Sequence, residues 1–403
     1  MNNHAIEDGL ARLGLEPLTE SAVVDHVHPL FARVLARNER EIYLANHSLG
    51  RPLDQTADDT AACLRLWYEK MHDAWDDWLA ELQAFRGRIA LLIGAPRADC
   101  IVPKASAGQG LRTVLNTWDD APRIVATRGE FDSIDFILKQ YEARQRARIR
   151  WVEAESDGDY DVAAIRDAID ADTDLVVISH VYFGSGQVLA DLPALVAHAH
   201  ACGARVLLDV YHSCGVLPLD VAALDVDFAI GGSYKYLRGG PGACWLYLHP
   251  RHLDGALSTL DTGWFAKRDR FQYARGDAPE FAQGGDAFLE STPAVLPLYQ
   301  ARAGQQFTLA IGVERLRAYS LQQQGRLIAA LARRGVAASG AQESRGAFVV
   351  VRDARAKELA SRLRERGVIT DARGEFVRLC PDVLTTDAEL ARAAEALGDV
   401  AAS

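Results

Sequence analysis

The chain has 403 residues, enough for one large domain plus a smaller one. Hydrophobic residues make up 49% and the formal net charge is −11, which argues against a generic nucleic-acid surface or an anionic membrane as partner. The six cysteines, Cys63, Cys100, Cys202, Cys214, Cys244 and Cys380, show no C-x-x-C spacing. That argues against a zinc site and suits a reducing cytosol.

The first residues, "MNNHAIEDGLARLGLEP", are polar and acidic and lack an apolar signal core. No window holds 18 uncharged apolar residues. The expectation is a cytoplasmic protein with no membrane span, no metal and a small-molecule substrate. Residues 1–50 read as an N-terminal arm ending in the extended piece "IYLANHSLGRP", closed by Gly50 and Pro52. One long helix is expected over about residues 56–85. It carries Leu64, Trp67, Met71, Trp75 and Trp78 at spacings of three and four, a stripe for core or subunit packing.

From about Ala98 to Leu260, short β-rich runs alternate with amphipathic helical runs: "RIVAT" with "EFDSIDFILKQYEARQ", "RIRWVE" with "DVAAIRDAID", "LVVISHVYF" with "LPALVAHAHACG". Such alternation argues for a mostly parallel sheet sandwiched by helices. Beyond Thr292 a long helix leads into a small α+β unit with "AFVVVR", "EFVRLC" and a last helix from about Asp387. The fold class is therefore α/β, a large domain plus a small C-terminal α+β domain. The divisions fall at 1–50, 51–305 and 306–403.

Open parallel sheets bind ligands at the carboxyl ends of their strands. The polar stretches there are Ser106 to Gly110, Glu130 to Ser133, Ser179 to Gly186, Asp209 to His212 and Ser233 to Gly242. In "ASAGQG", small residues open a helix whose positive end suits an anion such as a phosphate. The stretch lacks both G-x-x-x-x-G-K-[ST] and G-x-G-x-x-G, which speaks against a P-loop and a dinucleotide site. Asp209 ends the apolar run "RVLLD" and needs a partner once desolvated. It either caps the next turn or pairs with a protonated ring nitrogen. His212 follows three residues on. Lys235 stands 26 residues past Asp209, after the next strand, and a desolvated amine condenses readily with an aldehyde. An anion turn, a strand-end Asp and a strand-end Lys, in that order, match what pyridoxal 5′-phosphate requires.

The same residues carry a resemblance. The chain resembles fold-type-I pyridoxal-phosphate enzymes of the aminotransferase class V superfamily, and among them kynureninase. "NHSLG" is similar to the kynureninase "NSLG", "SHVYFGSGQ" to "SGVNYYTGQ", "TGWFAK" to "xGWxGH" and "ESTPAVL" to "SNPPIL". The most specific block is "DVYHSCGVLPLDVAALDVDFAIGGSYKYLRGGPGA", which resembles "DLAHAVGNVPL" followed by "DWGVDFAxWCSYKYLNxGPG". The resemblance implies that Lys235 joins the cofactor aldehyde and carries the substrate proton. It implies that Asp209 holds the pyridine nitrogen protonated and that His212 lies beside the ring. Phe131 would stack on the ring and Ser179 would hydrogen-bond near it. Ala107, Gly108 and Tyr234 would take the phosphate, with Trp264 and Thr292 closing that side from the neighbouring subunit of a homodimer. Arg378 and Ser48 would bind the substrate, Arg378 by clamping its carboxylate. Without the resemblance, Arg378 reads as a surface arginine on an edge strand.

Some positions depart from kynureninases. Tyr211 replaces an alanine of "DLAH", "FDSI" replaces "FPSD" with Asp132 and Asp135 out of register, and Thr292 replaces an asparagine. The segment around His72 to Trp78 has no match to "G-H-x-x-G-x-x-P-W". The expected reaction is kynureninase-like hydrolytic Cβ–Cγ cleavage of an amino acid. The alternatives are a class V aminotransferase and a non-catalytic pyridoxal-binding protein.

Overall fold

The computed structural model describes residues 4–37, 41–273 and 275–402. A seven-stranded sheet forms its centre. Its strands are β2 (Ile101–Lys104), β3 (Arg123–Thr127), β4 (Arg148–Val152), β5 (Leu175–Ser179), β6 (Arg205–Asp209), β7 (Phe228–Gly232) and β8 (Cys244–Leu248), preceded in the chain by β1 (Ile42–Tyr43). The order is β2-β8-β7-β6-β5-β3-β4, and only β8 runs against the rest. Every residue of β5, β7 and β8 is buried, as a sheet covered on both faces requires. The ends of β2, β3, β5, β6 and β7 therefore deliver their following loops to one edge of the sheet.

The small unit holds β9 (Val349–Arg352), β10 (Val368–Ile369), β11 (Asp371–Arg373) and β12 (Phe376–Leu379). β11, β12 and β9 form an antiparallel sheet with β12 in the middle. Helices Ala356–Glu365 and Asp387–Ala401 cover it, the second started by a reciprocal Thr386–Glu389 capping box.

Three expectations about the elements change. Most of residues 4–37 are helical rather than an extended arm, and Ile6, Val23 and Phe31 bury against Phe307, Ile311 and Leu316. β1 then pairs in parallel with β10, so the chain visits the small unit before it builds the large one. The expected helix over 56–85 is two helices, Gln55–Lys70 and Ala74–Ile93, broken where Met71 takes φ 51°. The break divides the aromatic stripe: Trp75 packs against Phe265 and Trp78, whereas Leu64, Trp67 and Met71 are exposed. The long helix after Thr292 is also two, Leu296–Ile311 and Val313–Arg333, interrupted at Gly312. Leu298 and Ala301 before the break belong to the large core, while Leu327 and Leu331 after it belong to the small one. Among the described residues no helix is long and apolar enough to cross a membrane.

Candidate active site

Lys235 sits in the loop after β7, only 5% exposed. Its backbone is pinned by the N-terminal segment: the Gly50 N–H donates to Tyr234 O at 2.8 Å. A Cβ at Gly50 would fall 1.9 Å from the Lys235 carbonyl oxygen, so only glycine fits there. The Lys235 Nζ lies 2.6 Å from His212 Nε2, and 5.4 to 5.6 Å from the ring centres of Tyr211, Phe131 and Tyr234. Burial pushes the amine down to about 7, against the opposing charge of Asp209. Burial also holds His212 far below the ordinary imidazole range, so its Nε2 accepts a hydrogen from the lysine. His212 Nδ1 is buried without a partner. Asp209 ends β6, and its Oδ1 accepts the Tyr211 N–H at 2.9 Å. Burial pushes its carboxyl up to about 6.

The helix Ala107–Leu115 begins beside these groups. Ser106 caps it, its Oγ accepting the Gln109 N–H at 3.1 Å. Ala107 and Gly108 N–H groups have no protein acceptor among the described residues. A cavity of about 160 Å³ opens there, lined by Ser106, Ala107, Phe131, Ser133, Tyr211 and Tyr234 among others. Gly108 lies one step deeper, packed on Ile137.

Ser179 ends β5 directly opposite Asp209. Its hydroxyl does not stand free beside a ring; it donates to Glu130 Oε2 at 2.7 Å, while its N–H and the Thr127 hydroxyl bond Glu130 Oε1. Glu130 is fully enclosed, and burial pushes its carboxyl up to about 8. It falls within a strand-end stretch noted from the sequence, but nothing local marks it as a buried acid.

The arginine end is built by the small unit. Arg378 is on the central strand β12 and 2% exposed, not on a surface edge. Its Nε and Nη2 donate to the two oxygens of Asp371 at 2.9 and 2.5 Å, and Nη1 donates to Phe183 O at 2.5 Å. His47 Nε2 contacts Asp371 Oδ1 at 2.9 Å, and its ring stacks on Phe348. Phe348 also meets the His212 ring at 5.7 Å and the Arg378 guanidinium at 5.7 Å. One aromatic ring thus separates the lysine's neighbour from the arginine. The "NHSLG" segment brings His47 to this cluster; Ser48 itself is exposed.

Within one chain Trp264 and Thr292 do not line the cavity. They bond each other, Trp264 Nε1–H to Thr292 Oγ1 at 3.2 Å, on a surface segment with exposed Phe271 and Tyr273. The sequence also gave no sign of a buried polar chain behind the lysine loop. Gln305 donates to Ser233 Oγ at 3.1 Å and accepts from Arg88, which pairs with Glu81. Among the described residues no group of three or more His, Cys, Asp or Glu is placed to hold a metal.

A mostly parallel sheet with one reversed strand, a buried lysine after β7 and an aspartate ending β6 define the class of fold-type-I pyridoxal-phosphate enzymes. The chain matches the aminotransferase class-V family over residues 54–386 and belongs to it. A kynureninase of Deinococcus radiodurans is 30% identical over 367 residues, 85% of this chain and 84% of the relative. A protein of Bacillus subtilis named uncharacterized aminotransferase YcbU is 27% identical, covering 79% of this chain and 84% of its own. Among solved structures, a complex of the cystine C-S lyase C-DES with cysteine persulfide superposes with TM-score 0.80 at 21% identity. It covers 91% of this chain and 99% of that one. An apo cysteine desulfurase from Thermococcus onnurineus gives 0.78 at 17% identity, covering 92% and 98%.

Proposed function

We propose that this protein binds pyridoxal 5′-phosphate at Lys235. We also propose that it hydrolyses the Cβ–Cγ bond of L-kynurenine or a related amino acid, giving L-alanine and an anthranilate-type product. The observation that carries the cofactor assignment is the Lys235 amine, buried and 2.6 Å from a neutral His212, one strand away from a carboxylate with an uncommitted oxygen. The residues fit the group. His212 Nδ1 is an orphaned buried nitrogen, and the helix start at Ala107 leaves an N–H free beside the cavity. The relatives at about 30% identity favour the reaction, because they are named kynureninases.

When bound, the cofactor supplies an aldehyde for condensation and a protonated pyridine ring that draws electrons from the substrate α-carbon. Asp209 would hold the proton on the ring nitrogen. The Ala107 and Gly108 N–H groups and the Tyr234 hydroxyl would take the phosphate, and Phe131 and Tyr211 would pack the ring. Lys235, whose amine burial lowers to about 7, would be the group that joins the cofactor aldehyde and carries the α-proton. His212 keeps the lysine oriented by accepting its N–H. Arg378 binds the substrate carboxylate. A second copy of the chain completes the site with Trp264 and Thr292. The exposed aromatic cluster around Trp264 and an open groove of about 790 Å³, lined by Leu49, Leu53, Leu64 and Pro241 beside the lysine loop, support a dimer.

Transamination is the second reading, favoured by Tyr211. Its ring contacts the Cα face of Gly232 and occupies the place of a smaller residue in kynureninases. Purified protein loaded with cofactor and given L-kynurenine tests the two. Alanine plus anthranilate supports cleavage. Amino transfer to an added keto acid with the carbon skeleton intact rejects cleavage in favour of transamination.

A further inference from the structure

The carboxylate-binding arginine is not free. A guanidinium has five N–H groups. In Arg378 three of them are taken: Nε–H and one Nη2–H by Asp371, and one Nη1–H by Phe183 O. Asp371 and Arg378 face each other across the β11–β12 ladder, so the backbone register itself sets the pair. Asp371 is held in turn by His47, whose ring is 1% exposed and stacked on Phe348 at 5.0 Å. His47 comes from the segment after β1, far away in sequence, and β1 is fixed by its pairing with β10. Arg373, on the same face of β11, comes within 3.9 Å of the same carboxylate.

We infer that Asp371, backed by His47, is a positioning residue for Arg378, and that a substrate carboxylate is read only through the two remaining N–H groups, one on each Nη. This inference rests on the reading of Arg378 as the carboxylate-binding group. Asp371 grips the Nε edge of the guanidinium, so an incoming carboxylate meets a plane already fixed in orientation. A fixed fork loses less freedom on binding than a swinging one. Two arginines share the one aspartate, so the cluster keeps a net positive charge toward an anion despite the ion pair. The opposite role is physically distinct. An aspartate acting as an internal plug would compete with the substrate for the fork, and its removal would tighten carboxylate binding. Positioning and plugging therefore predict opposite signs.

The test is the affinity of the full-length protein for propionate, followed by ligand-observed NMR titration, with folding checked by circular dichroism. Asp371→Asn keeps the size and one acceptor oxygen. It is expected to weaken propionate about 10-fold, and Asp371→Ala more, as for loss of a charge-assisted partner. His47→Phe, which keeps the stack on Phe348 but loses the hydrogen bond, is expected to weaken it a few-fold, with His47→Gln restoring most of the loss. With a turned-over amino acid, the same variants raise KM while kcat stays within about three-fold. Should Asp371→Ala not fold, Asp371→Asn carries the test. Unchanged or tighter propionate binding in Asp371→Asn overturns the inference. Arg378→Gln separates the two failures. If it binds propionate as the parent does, the assignment of Arg378 fails; if it loses binding while Asp371→Asn does not, only the positioning role fails.

Discussion

At one end of the site Lys235, His212 and Asp209 are buried without a formed ion pair; at the other, buried Arg378 forms a closed pair with partly exposed Asp371. The difference fits the role proposed for each end. An amine in a desolvated loop gives up its proton more readily, and the free amine is the form that attacks an aldehyde. An arginine that must stay charged and aimed is given a carboxylate partner in register across a β-ladder. Burial acts on both ends. Residue type decides whether burial yields a nucleophile or a cation, and the counter-ion fixes where the cation points.

The comparison can be broken most sharply at the lysine. Lys235→Ala is expected to abolish turnover, by about 10³-fold or more, and to remove the visible absorbance of the loaded protein. A borohydride-reducible imine retained on the variant protein would mean that another amine of the chain holds the cofactor. Asp209→Asn keeps the shape but loses the charge. It is expected to lower turnover on the order of 10²-fold while cofactor still binds, measured by steady-state kinetics on protein loaded to saturation. The pH dependence sharpens the contrast. Only the neutral amine condenses with an aldehyde, and burial lowers the lysine to about 7. Cofactor uptake by apo-protein is expected to accelerate up to about pH 7 to 8 and then level off. A rate still climbing at pH 10 would mean an ordinary solvated lysine.

The smallest effect is at Glu130. Burial pushes its folded carboxyl up to about 8 from the ordinary 4.5. As pH rises between those values, the unfolded chain releases the proton first, so the stability this group contributes at low pH is lost, and the loss is complete above about 8. Glu130→Gln removes that fall. Melting temperatures from pH 5 to 9 are expected to decline less in the variant than in the parent, and parallel curves would contradict the buried neutral acid.

The lysine end could be read from the sequence because each of its groups lies just past a strand of one parallel sheet. "RVLLD" and "GGSYKYLRGGPG" signal strand ends locally, and the sheet brings those ends together. The arginine end could not be read that way. His47, Asp371 and Arg378 meet through the β1–β10 and β11–β12 pairings, and β1 and β10 are two residues long, too short for any periodic pattern. Nothing in the sequence singled out Asp371, and without the resemblance Arg378 looked like an exposed arginine. The helix breaks at Met71 and Gly312 were missed because apolar spacing runs on across them, while a single residue with positive φ redirects the axis. Ser179 was expected near the ring from the resemblance, and its bond to a buried acid had no local signal. Its actual partner, Glu130, is 49 residues away and buried by the fold.

The most direct measurement loads the protein with pyridoxal 5′-phosphate, reduces it with borohydride and maps the labelled peptide. A single pyridoxyl group on Lys235 is the expected result. The control within the same chain is Lys104, also buried but paired with Glu290 at 2.7 Å, and it is expected to stay unlabelled. Label on Lys104 or on a surface lysine, or no label at all, would contradict the account.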